Sequence, residues 1–139
     1  MNAEAFVDTN VLIYAAAGHR DAPAKHARAW EIIGPGEYGI SSQVLAEFYV
    51  NAVKKPAVPL TPGEAASWVA ELQTVPVVPV DGSLVAEAVG FSQRHRISYW
   101  DAAVVIAAER LGASVLYTED LNDGQRYGSV TVINPFKEH

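Results

Sequence analysis

Cysteine is missing from this chain of 139 residues, which excludes disulfides and thiolate metal sites alike. Long hydrophobic runs are missing too: none approaches the roughly 18 residues that cross a bilayer. The first residues lack the basic segment and apolar core of a secretory leader, so the cytoplasm is the default location. No repeat, low-complexity tract or linker divides the sequence, so residues 1–139 read as one domain. Positive charge is scarce, with 10 Lys and Arg against 16 Asp and Glu, a net charge of −6. That balance counts against a nucleic-acid partner only if the acids are spread over the surface. Two divalent cations on clustered carboxylates would cancel most of it. What remains is ordinary: half of the residues are hydrophobic and 19% are charged, enough for a soluble globule with one sizeable core.

Short apolar runs alternate with helical patterns throughout. Strand candidates are residues 5–7, 38–40, 77–80, 115–117 and 130–133, and the alternation argues for a parallel sheet covered on both faces. A short helix over 11–17 ends at Gly18, and Asp21 can cap the next, which ends at Gly34-Pro35-Gly36. Lys25, His26 and Arg28 lie on the polar side of that second helix and read as a solvated face in preference to a contact for a nucleic acid. Ser41-Ser42 caps a helix running to about Val53, and Thr61-Pro62-Gly63-Glu64 is a capping box. Pro76 and Pro79 mark the third strand as an edge. Residues 83–94 form an amphipathic helix ending in Arg94-His95-Arg96. From Ala102 to Ala108 every residue is apolar, which describes a helix buried on all sides, capped by Ser98 and ended by Gly112.

Three acids stand where an apolar element ends or begins. Asp8 closes the run Ala5-Phe6-Val7, Asp101 opens the buried helix, and Asp120 follows Val115-Leu116-Tyr117-Thr118-Glu119. In an open α/β sheet the crevice beyond the carboxyl ends of the strands is where ligands bind. Capping alone also accounts for Asp101. Spacing puts Glu47 on a polar face, beside Gln43 and Asn51 and within reach of Lys54. Carboxylates about 4 Å apart repel by about 4 kcal/mol at an effective dielectric of 20. A shared proton or a hard cation such as Mg²⁺ or Mn²⁺ would relieve this. A cation's water is a usable nucleophile near neutral pH, so phosphodiester hydrolysis is the chemistry that fits best.

Phe6-Val7-Asp8-Thr9-Asn10-Val11-Leu12, Ser41 with Glu47 six residues on, Tyr99-Trp100-Asp101-Ala102 and Thr118-Glu119-Asp120-Leu121 occur in the order of PIN-domain ribonucleases. The resemblance covers essentially the whole chain, and a short stand-alone domain looks most like the toxin of VapBC-type toxin–antitoxin pairs. It implies a three-layer α/β/α fold with a central five-stranded parallel sheet, and a Mg²⁺- or Mn²⁺-dependent endoribonuclease leaving 5′-phosphate and 3′-hydroxyl ends. The four acidic positions of the family fall on Asp8, Glu47, Asp101 and Asp120, as metal ligands and catalytic groups, with Glu47 or Asp120 as base. Thr118 matches the family's hydroxyl and Asn10 the residue that orients the first aspartate. Asp123 either assists Asp120 or forms the turn.

For RNA, Lys54, Lys55, Arg94 and Arg96 are candidate phosphate contacts. Tyr14, Tyr99 and Trp100 could stack on bases or could belong to the core. The resemblance further implies a homodimer and a cognate antitoxin, with Trp30 and Trp68 either clamping that partner or buried. A haloacid-dehalogenase-like phosphatase would need an acid where Asn10 stands and a lysine before the last acidic loop, and no lysine lies between Lys55 and Asp120. A non-catalytic binding module of the same fold would typically have lost a site acid, and none is missing.

Overall fold

The computed structural model describes residues 2–137. Strand β1 (Ala5–Val7) leads through Asp8 into helix α1 (Thr9–Ala17) and then α2 (Pro23–Ile33). Strand β2 (Ile40–Ser41) runs directly into α3 (Ser42–Ala52), followed by α4 (Pro62–Leu72), β3 (Val77–Val78) and α5 (Gly82–His95). Helix α6 (Tyr99–Leu111) precedes β4 (Val115–Tyr117), β5 (Arg126–Tyr127) and β6 (Val130–Ile133).

Most helix ends follow from local chemistry. Ser41 Oγ accepts from Val44 N–H, Ser98 Oγ from Asp101 N–H, and Thr61 with Glu64 forms the reciprocal capping box. Gly112 closes α6 in the left-handed region at φ 82°, where a side chain would be strained. Asp21 does not cap α2. Ala22 holds that position with no side-chain bond, because Pro23 presets the first helical φ and has no N–H to satisfy. The Asp21 carboxylate instead accepts from Ala57 N–H at 3.5 Å.

The expected five-stranded parallel sheet is not what forms. A four-stranded mixed sheet in the order β1-β4-β6-β5 stands beside a parallel pair, β2-β3. The first is mixed because Arg126–Tyr127, too short for any periodicity to reveal, adds antiparallel to β6. The second is tied to β1 by a single parallel bridge, Phe6 to Gly39. Regular pairing on β2 is confined to Ile40–Ser41, since Ser41 already turns the chain into α3. On β3 it stops at Val78, because Pro79 has no N–H for the ladder.

Helix α6 is the spine of the core. Every residue from Ala102 to Ala108 is buried, and the helix lies against β1, β2, β3, β4 and β6. Its alanines let the strands approach closely. Helix α5 packs along α6, while α1 packs on α2 and α3. Trp68 of α4 stacks on Phe48 at 6.0 Å and meets Trp30 at 5.8 Å. Trp30 remains well exposed, its indole N–H donating to Ala15 C=O at 2.9 Å. No described helix is long and apolar enough to cross a membrane.

Candidate functional site

The parallel register of β1 and β4 sets Val7 beside Tyr117, so the next residues, Asp8 and Thr118, lie side by side beyond the strand ends. Asp8 is only 5% exposed. One of its oxygens accepts from Thr9 N–H at 2.7 Å and the other from the Thr118 hydroxyl at 2.8 Å. The Thr118 oxygen itself accepts from Asp120 N–H at 3.1 Å and from the Asn10 amide at 3.2 Å. The same Asn10 amide donates to the Asp120 carboxylate at 3.1 Å. Asn10 and Thr118 thus fix the two strand-end aspartates relative to each other.

Glu47 does not sit on an isolated polar face beside Lys54. It is half-buried, with one carboxylate oxygen accepting from the Thr9 hydroxyl at 3.3 Å and the other from the Gln43 amide at 3.3 Å. Packing of α3 on α1 carries it there, a contact that spacing along one helix cannot reveal. Asp101, in the first turn of α6, lines the same cleft as Asp8, Glu47 and Asp120, a hollow of about 480 Å³. Burial, reinforced by the charges of Asp120 and Glu47, pushes the Asp8 carboxyl up to about 6, against the pull of its two hydrogen bonds. Asp101 is raised as well, chiefly by burial and then by Asp120.

Among the described residues, no three of Asp, Glu, His and Cys are gathered tightly enough to cage a metal ion by themselves. The chemistry of the donor set nevertheless suits a hard cation with its own waters: every donor is oxygen. Two buried amide oxygens beside these carboxylates, Asn10 Oδ1 and Gln43 Oε1, have no partner. Buried polar atoms are rarely left unpaired, and a hydrated ion supplies what both lack.

The family model of the PIN domain matches residues 5–126. The chain belongs to this family. Solved structures with the same fold include a toxin–antitoxin complex from Klebsiella pneumoniae, 20% identical with a TM-score of 0.67, covering 94% of this chain and 97% of that one. VapC20 from Mycobacterium tuberculosis, described as a sarcin–ricin loop cleaving toxin, is 21% identical with a TM-score of 0.65, covering 84% and 89%. A DNA-bound VapBC from Salmonella typhimurium is 19% identical with a TM-score of 0.63, covering 94% and 96%. No curated protein matches the chain.

Around the acids of this PIN domain, the other expected residues divide. Lys55, Tyr14 and Trp100 line the cleft, and Trp100 is 60% exposed, so it is no core residue. Tyr99 is half-buried against Trp100. Lys54, Arg94 and Arg96 are exposed and are not among the lining residues. Arg94 lies over the Phe91 ring, and Arg96 holds the left-handed cap of α5 at φ 55°. The Asp123 carboxylate accepts from Asn134 N–H at 2.8 Å, a bond that ties the loop after β4 to the residue just past β6. Three groups to which the sequence reading gives no place in the site touch its members: Gln43, Glu119 and Lys25. The helical spacing that sets Gln43 beside Glu47 holds, with the Gln43 amide donating to the Glu47 carboxylate. Glu119 is next to Asp120. Lys25, read in sequence as part of a solvated face, is partly exposed but its ammonium reaches Glu119 at 3.2 Å.

Proposed function

We propose that residues 1–139 act as a single metal-dependent endoribonuclease domain, the toxin of a toxin–antitoxin pair. The observation that carries this reading is the single cleft lined by Asp8, Glu47, Asp101 and Asp120, from four separate stretches of chain, within a PIN domain. These four would hold Mg²⁺ or Mn²⁺ directly or through water, and the ion would supply an activated water and offset charge on the phosphoryl oxygens. Asn10 and Thr118 keep Asp8 and Asp120 aligned, and Thr9 with Gln43 holds Glu47. As water attacks phosphorus, its proton passes to Glu47 or Asp120. The bond to the 3′ oxygen breaks, leaving 5′-phosphate and 3′-hydroxyl ends. Lys55 is the expected cation placed to meet RNA in the cleft, and Trp100 offers a face for an unstacked base.

The toxin reading is supported by fold and size together: the structural neighbours that come from toxin–antitoxin complexes are matched over nearly their whole length. A cognate antitoxin, a homodimer and a cytoplasmic setting belong to the same proposal. Its test is cleavage of total RNA with mapped ends across a Mg²⁺ and Mn²⁺ titration. Asp8→Ala and Asp101→Ala each reduce cleavage by at least a hundredfold while the circular dichroism spectrum is retained. Undiminished cleavage in either purified variant removes the proposal.

A further inference from the structure

A polyanion entering this cleft meets the acids Asp8, Asp21, Glu47, Asp101, Glu119 and Asp120, and Lys55 is the lone cation among the described lining residues. The metal can answer for the central carboxylates, but the strand on either side still needs donors for its phosphates. At the rim, Tyr14 and Lys25 converge on one anion. The Tyr14 hydroxyl donates to one oxygen of Glu119 at 2.9 Å, and the Lys25 ammonium reaches the other at 3.2 Å. Lys25 also donates to the Tyr14 oxygen at 3.1 Å. Two donors, each aimed at a separate oxygen of a carboxylate, match what the two non-bridging oxygens of a phosphodiester require.

Resting on the ribonuclease reading, we propose that Tyr14 and Lys25 form the seat of an RNA backbone phosphate, kept filled in the free protein by the Glu119 carboxylate. Both donors are held in place. The Tyr14 ring meets Phe136 edge-on at 4.9 Å, and the ammonium lies over both rings, 4.8 Å from Tyr14 and 5.6 Å from Phe136. The occupant is replaceable, because the Lys25–Glu119 pair is only partly buried, 41% and 25% exposed, so water and an incoming strand both reach it. Glu119 adjoins Asp120 at the end of β4, so a strand that displaces it is seated next to the acidic centre. The exchange also leaves non-nucleic anions at no advantage: a single phosphate gains little over the carboxylate already bound, whereas a strand held at the metal and at Lys55 gains from all three contacts.

The test is fluorescence anisotropy of a labelled single-stranded RNA, with Ca²⁺ in place of Mg²⁺ to hold the cleft without turnover, over a salt series. Lys25→Met weakens binding about tenfold, the effect of losing a charge-assisted contact. It also flattens the dependence of log affinity on log salt by about 0.7, one phosphate fewer on a single strand. Lys25→Arg keeps both affinity and slope near the wild-type values. Glu119→Gln binds more tightly than wild type. A cluster that merely braced the fold would lower the melting temperature in Lys25→Met and leave the slope unchanged, and would make Glu119→Gln weaker. Either result overturns the phosphate seat while leaving the ribonuclease reading standing. Failure of the wild type to bind or cleave RNA overturns that reading, and the seat with it.

Discussion

Asp8 is held in the folded protein against its own ionisation. Burial raises its carboxyl to about 6, so the folded state binds a proton that the unfolded chain, with an ordinary aspartate, has already released. For a raised acid the sign is fixed: the folded state gains as pH falls through 6 toward 4 and loses that gain above 6. The neutral-pH penalty is about 3 kcal/mol. Thermal melts of the metal-free protein should therefore give a higher melting temperature at about pH 5 than at about pH 7.5. Asp101, also raised, acts in the same direction. Asp8→Asn isolates the larger part: it should exceed the wild type at about pH 7.5, with the difference fading near pH 4. A variant that tracks the wild type at every pH would mean that the buried charge costs nothing. Which acids meet was only partly legible in the sequence. Asp8 and Asp120 announce themselves because a strand end fixes where they point. Glu47 depends on how α3 lies against α1, and the Lys25–Glu119 contact spans 94 residues, so no local pattern encodes either.

Among the elements, the join between β1 and β2 is the narrowest. It consists of one bridge at Gly39, where a Cβ would stand 2.6 Å from Leu111 Cδ2 and 2.7 Å from Cδ1. Leu111 is fully buried in the last turn of α6, so swinging aside would push it into packed neighbours. Gly39→Ala should lower stability by about 1–3 kcal/mol, the range for forcing volume into a packed core. Adding Leu111→Val should recover part of that loss, a coupling that a double-mutant cycle on melting temperature or urea midpoint measures. Additive losses would show that the two residues do not contend for the same space. The elements themselves were readable where sequence and local chemistry agree: the 5–7, 115–117 and 130–133 strands, the capping box at Thr61, the wholly apolar α6. The sheet as a whole was not. β2 joins β1 at one point because the chain turns into α3 at Ser41, and β5 exists only because the loop after Asn122 folds back on β6.

At the scale of the whole molecule, an excess of acid is concentrated where the function is proposed to lie. The chain carries −6, and the lining of one cleft holds a disproportionate share of its carboxylates. Burial, with their mutual repulsion added to it, lifts the proton affinity of Asp8 and Asp101, and both causes are present in the folded state alone, since unfolding exposes these acids and disperses them to separate stretches of chain. A divalent ion bound by them must stabilise the fold by mass action, by about 2.7 kcal/mol once free metal reaches about a hundred times the dissociation constant. Mg²⁺ or Mn²⁺ at pH 7.5 or so should then raise the melting temperature by several degrees, in a concentration-dependent way that chelation reverses. Sodium chloride at matched ionic strength should give much less, because screening acts weakly on a buried carboxylate such as Asp8. In Asp8→Asn and Asp101→Asn most of the metal-induced rise should vanish even though both variants fold. Equal shifts from sodium and magnesium would reduce the effect to screening and leave the cleft without a metal. A magnesium shift that persists in both variants would move the ion elsewhere on the molecule.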